Sequence, residues 1–137
     1  MKTTFDFIDL IWKRLYEDFD LKTSITGSIY KHKRPDGSQK EDIVINGLPV
    51  NNDQLQTGVI NVNFHCPNLV ASINAQPVVH VPDNVKLNEV SKKIIALLKD
   101  YWHQEFHCDI QSQTVMEEPE LRECFSNIRV TVFSINI

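Results

Sequence analysis

The residues that most suggest chemistry in this sequence are His103-Gln104-Glu105-Phe106-His107. Two histidines at i and i+4 share one face of a helix and can hold a metal together, the spacing that zinc proteases use. Here the glutamate stands third in the motif instead of second, which rotates the would-be general base onto another face. The motif also falls where a helix should be ending, and no third ligand is placed. The plainer role is that of polar residues at a helix C-terminus, where an imidazolium complements the dipole.

The dipeptides His65-Cys66 and His107-Cys108 could in principle supply four zinc ligands. Zinc sites usually carry CxxC or HxxxH spacings, and neighbours on a strand point to opposite faces. Nucleophilic and phosphate chemistry have less support. There is no GxSxG elbow, no P-loop and no GxGxxG, and four glycines are too few for a phosphate-cradling loop. The sequence therefore predicts no catalytic residue, no metal and no cofactor.

Charge is more suggestive. The net charge is −4, which argues against wholesale binding of a phosphate backbone. Its distribution is uneven. Lys31, Lys33, Arg34 and Lys40 stand against one acid, Asp36, whereas Glu117, Glu118, Glu120 and Glu123 stand against one base, Arg122. Aromatic residues do not interleave with the basic cluster, so a stacking platform for single strands is unsupported. A charge run is usually just a solvated turn. Its functional reading is electrostatic contact, either with the acidic segment of another copy or with a nucleic acid threading past.

These residues need a scaffold, and the composition supplies one. The 137 residues are 42% hydrophobic, enough for one domain over 1–137 that buries roughly two thirds of its unfolded surface. Cys66, Cys108 and Cys124 are odd in number and form no CxxC, so they read as small buried hydrophobes or free thiols. The N-terminal MKTTFDFIDLIWKR is broken by Asp6 and Asp9 and resembles no signal peptide. No apolar run approaches the ~20 residues that cross a bilayer. A soluble, intracellular protein is expected.

Apolar residues at Phe5, Ile8, Ile11, Trp12, Leu15, Tyr16 and Phe19 predict an amphipathic first helix. Ile25–Lys31 and Glu41–Asn46 read as two strands of a hairpin whose turn is Arg34-Pro35-Asp36-Gly37. Ile60, Val62 and Phe64 alternate with Asn61 and Asn63, a strand buried on one side. Residues 67–86 read as an irregular loop or arm, with a short strand at Val78–Val81 at most. A second amphipathic helix is expected over 87–102, then a strand over Phe106–Val115. The last strand, 127–137, changes parity. Ile128, Val130 and Val132 share one face while Phe133, Ile135 and Ile137 take the other, so the strand is either bulged near Val132 or covered on both faces. The fold class is α+β: a mixed, mostly antiparallel sheet packed against two amphipathic helices.

This order resembles the phage tail terminator, or tail completion, proteins. The resemblance lies in Ile25-Thr26-Gly27-Ser28-Ile29-Tyr30 after the first helix, then Pro35-Asp36-Gly37 and the Ile43–Ile45 strand. It continues through Val59–Phe64, the long helix Leu87–Trp102, and Pro119-Glu120-Leu121 followed by Ile128–Ile137. The resemblance implies a structural subunit of a phage or prophage, with no enzymatic role, that forms a ring, often a hexamer. Such a ring caps the tail tube and joins it to the head. Its implied partners are other copies of itself, the tail tube protein and the head–tail connector proteins, with passing contact with DNA in the channel and no membrane. Its implied location is the virion tail, and the cytoplasm of the host bacterium during assembly. A head-closure or other head–tail adaptor protein is the alternative, and a small metal-dependent enzyme using His103, Glu105 and His107 is the remote one. In a ring, Lys31, Lys33, Arg34 and Lys40 of one subunit are expected to face Glu117, Glu118, Glu120 and Glu123 of the next.

Overall fold

The computed structural model describes residues 1–74 and 76–135. Helix α1 (Thr4–Tyr16) opens on a capping box. Thr3 Oγ1 accepts from the Asp6 amide at 3.3 Å, and Asp6 accepts from the Thr3 amide at 2.8 Å. Its buried stripe is Phe7, Ile8, Ile11 and Leu15, so Phe7 replaces Phe5, which stays 64% exposed. Asp18 then caps a short helix, α2 (Phe19–Thr23), by accepting from the Leu21 amide. Phe19 therefore lies outside the α1 stripe and is exposed. Helix α3 (Asn84–Leu98) is capped by Asp83. It ends earlier than expected, because Lys99 is extended and Asp100 adopts a φ of +47°.

Six strands form one sheet in the order β1-β2-β3-β8-β7-β6. They are β1 (Ile29–Lys31), β2 (Asp42–Gly47), β3 (Leu55–Pro67), β6 (Tyr101–His103), β7 (Phe106–Glu118) and β8 (Glu123–Ile135). All neighbours are antiparallel except β1 and β2, which run parallel with Ile29 opposite Ile43. The expected hairpin at Arg34–Gly37 is therefore absent. His32 takes a φ of +67°, which turns the chain out of the β1 line. The segment up to Glu41 carries it back, so that β2 starts beside the start of β1.

Helices α1 and α3 cover one face of the sheet. Ile43, Ile45, Ile60, Val62, Phe64, Phe106, Ile128, Val130 and Val132 are buried there with Phe7, Ile11, Val90, Ile94 and Leu98. Full burial of such side chains stabilises by roughly 1.5–3 kcal/mol each, so this layer holds the fold. On the other face a ladder of amides spans three strands. Asn127 donates to Asn63 at 2.6 Å and to Asn61 at 3.3 Å, and Asn61 donates to Asn46 at 3.2 Å. The α+β class with a mixed, mostly antiparallel sheet is the observed one.

The parity change in β8 reflects neither a bulge in that strand nor cover on both faces: Ile128, Val130 and Val132 are buried under the helices, while the opposite face stays partly open. β8 pairs with β3 from Leu55↔Ile135 to Pro67↔Glu123 without a slip. The register shift lies across from it, in β7 between Ile110 and Ser112. Phe133 is half-buried on the face away from the helices, and Ile135 is exposed. Ile137 lies outside the described residues.

The segment 67–86 is not an irregular loop: Pro67 ends β3, Asn84–Lys86 begin α3, and a two-stranded arm lies between them. β4 (Leu69–Ile73) and β5 (Gln76–Val81) pair with each other as a separate two-stranded sheet. The sequence there is rich in β-branched residues, and Pro77 is tolerated because neither strand has a second neighbour.

Candidate assembly interface

The basic segment does not stand clear of the protein as a solvated tip. Its Arg34 side chain is only 14% exposed and lies between Glu123 and Asp42, with an ion pair to Glu123 and Nη1 3.5 Å from Asp42 Oδ2. Asp42 is itself fully buried at the start of β2. It accepts from the Ser28 amide at 3.2 Å and from Ser38 Oγ at 2.5 Å. Gly27 permits this, since a Cβ there would sit 1.8 Å from Asp42 Oδ1 and 2.6 Å from the Glu41 carbonyl.

His65 completes the cluster, with Nδ1 3.2 Å from the Glu123 oxygen that Arg34 engages. Burial first, and the Arg34 charge second, lower its pKa to about 4. The ring is neutral near pH 7, so Nδ1 carries the proton and donates to the carboxylate. Ligating atoms of His65, Glu118 and Glu123 lie within 4.8 Å of one another, a donor set that suits a divalent ion in type. The Glu123 oxygen is already shared by Arg34 and His65, and a guanidinium beside it repels a cation. The cluster is an internal clamp that ties the 32–41 segment to β2, β3 and β8.

Two of the eight residues expected to meet across copies, Arg34 and Glu123, therefore meet within one chain and are not available to a neighbour. Lys31 pairs with Asp9 and Lys33 with Asp36, each at 2.8 Å. Lys40, Glu117 and Glu120 are exposed and make no ion pair among the described residues, and Glu118 is half-buried beside His65 and Glu123. No contact between copies follows from these positions alone.

His103, Glu105 and His107 do not end a helix. They form the tip of the β6–β7 hairpin, with Gln104 at a φ of +55° and His103 opposite Phe106. The helical i, i+4 geometry is lost, because the chain reverses between the two histidines. His107 is held by Asp100, Nε2 to Oδ1 at 2.8 Å, and lies between the Trp102 and Phe133 rings. With Leu55 and Ile135 these rings line a shallow apolar hollow of about 420 Å³. Cys66 and Cys108 are buried on the helix side, away from His65 and His107, as strand alternation requires. Burial pushes both thiols up to about 12, which keeps them protonated and poor ligands.

The two edges of the main sheet differ. β1 is three residues long and blunted. The Ile29 carbonyl accepts from Trp12 Nε1 at 2.9 Å, and the Lys31 carbonyl accepts from the Lys33 amide at 2.7 Å. At the other edge β6 covers only Phe106–Cys108 of β7. From Asp109 to Glu118 no described strand lies on the side of β7 away from β8, and Val115 and Met116 are nearly half exposed there. An open edge of this length offers a row of unpaired backbone groups to another chain. Sequence reading finds β7 as a strand but gives no sign of its place in the sheet, which depends on pairing partners far away. No protein-family model matches the chain, and no curated protein is significantly similar to it.

Proposed function

We propose that this chain is a structural subunit of the tail-terminator kind, which assembles with copies of itself into a ring at the end of a phage-type tail tube. The observation that carries the reading is the presence, in one small chain, of both a separate two-stranded β4–β5 sheet and an open β7 edge. An isolated two-stranded hairpin is marginal in water, and a bare sheet edge is a liability. Both gain stability by docking. The order of helix, strands, arm, helix and closing strands supports the same reading through its resemblance to that family. The described polar clusters favour it too, since the His65 group is committed to Arg34 and the His103–His107 segment is a hairpin tip.

In this role the function is geometric: the sheet and helices hold the docking surfaces at fixed angles, and closure by rotation sets the subunit number. Imaging the purified protein mixed with tail tubes by negative stain tests it. Rings seated on one end of the tubes are the expected result. Binding to connector complexes with no affinity for tubes would instead identify a head–tail adaptor, and no binding to either would end the proposal.

A further inference from the structure

We infer that strand β4 of one copy adds to the open β7 edge of the next, so that the sheet continues from subunit to subunit; this contact rests on the ring reading above. Three features converge on it. First, the β7 edge from Asp109 to Glu118 carries neither lysine nor proline, two of the usual devices that blunt an edge, and beyond the register shift at Ile110–Ser112 it pairs with β8 without interruption to Glu118. Second, a groove of about 380 Å³ runs beside that edge, between α3 and β7, lined by Leu87, Ser91, Ile95, Gln113 and Val115. An added strand would set the side chains of one face into this groove. Third, Leu69 and Val70 are successive residues on β4 and so point to opposite faces, yet they are 52% and 63% exposed. Neither face at the root of the arm is covered.

Charge selects the occupant. The β7 edge holds Asp109, Glu117 and Glu118 and no base. Two such edges pairing about a two-fold axis would bring acid against acid, which is destabilising across strands. Residues 68–82 contain no Asp, Glu, Lys or Arg, and their one titratable side chain is His80, which an acidic edge would attract when protonated. The arm is thus a strand of this chain that approaches the edge without repulsion. Because arm and edge are different patches, the contact is heterologous and propagates around a ring instead of stopping at a dimer. Its chemistry is strand addition, with backbone hydrogen bonds supplying affinity and alternate side chains supplying register.

Replacing residues 69–81 by a short Gly-Ser link tests this, with far-ultraviolet circular dichroism confirming that the rest still folds. Assembly on tail tubes should fall at least ~10-fold, the effect of losing about 1.4 kcal/mol of contact. In parallel, a Val70→Cys/Val115→Cys variant should give a ladder of cross-linked oligomers on mild oxidation, with each single variant giving none. If the arm-less chain forms rings as well as the native one, the arm contact is overturned and the ring reading survives. If the native chain forms no rings while the double variant still gives the ladder, the contact holds and the ring reading fails. Neither rings nor ladder overturns both, and strong dimers from Val115→Cys alone would replace the arm with edge-to-edge pairing.

Discussion

Arg34 and Glu123 form a buried ion pair although 89 positions separate them in sequence. Asp42, on the far side of the guanidinium, makes the pair a triad. Removing one member of such a group leaves its partners desolvated and uncompensated, whereas neutralising opposite members together costs far less. Arg34→Met should therefore destabilise the protein by ~3–5 kcal/mol in urea unfolding. The double variant Arg34→Met/Glu123→Gln should recover a clear part of that loss. A single-variant cost below ~1 kcal/mol, the range of exposed pairs, would mean that water reaches the triad and that the 32–41 segment is not clamped.

His65 gives the same cluster a signature in pH. In the folded chain its pKa is lowered to about 4 from 6.5, by burial first and the Arg34 charge second. Between those values the unfolded imidazole binds a proton and the folded one does not, so stability rises with pH across this window. Acidification from pH 6.5 toward 4 should thus remove up to ~3 kcal/mol at about 1.4 kcal/mol per pKa unit, and the His65 contribution should level off below about 4. Chemical unfolding at stepped pH checks this against His65→Gln, which keeps a donor near Glu123 but does not titrate. Parallel curves for the two proteins would remove His65 from the account.

Gly27 supports the cluster from behind. A methyl group there meets the Asp42 carboxylate and the Glu41 carbonyl at distances no real Cβ tolerates. The carboxylate could rotate, but only by giving up its bonds from Ser28 and Ser38. The backbone carbonyl cannot yield, since it accepts from the Gly27 amide itself at 2.9 Å. Gly27→Ala should cost ~1–3 kcal/mol, the usual range for overpacking, and loosen the 26–42 segment in hydrogen exchange. Native-like protection of the Gly27 and Ser28 amides in this variant would refute the account.

What the sequence made legible follows from the range over which each signal acts. Helix α1, the Ile60–Phe64 alternation and α3 were readable because their periods are local, and the core forms on the faces those periods mark. The β1–β2 relation was not. Arg34-Pro35-Asp36-Gly37 is good turn chemistry, but the direction of β2 is decided by Asp42 reaching Arg34 and Ser28, contacts that no local pattern announces. The same holds for the charged residues. Arg34 and Lys33 are neighbours in sequence, yet one is buried against β8 and the other is 76% exposed beside Asp36. The open edge of β7 was equally hidden, because an edge is defined by the strand that fails to pair.

In the proposed ring, electrostatics between copies would fall on the charges left exposed. Lys33 and Lys40 of the basic segment face solvent, as do Glu117 and Glu120 at the β7–β8 corner. If these patches meet in a ring, reversing Lys33 and Lys40 to Glu should weaken assembly several-fold at low salt. At 0.5 M salt, where the Debye length is about 4 Å, the effect should largely vanish. Adding Glu117→Lys and Glu120→Lys should restore assembly, because the patches would again be opposite in sign. Folding stability should hardly change, since these side chains lie outside the core and Lys33 gives up only an exposed pair with Asp36. Sedimentation of the three proteins across a salt series separates the possibilities. Equal assembly of all three at low salt would leave the contact between copies to the arm and the sheet edge alone, with the exposed charges serving only solubility.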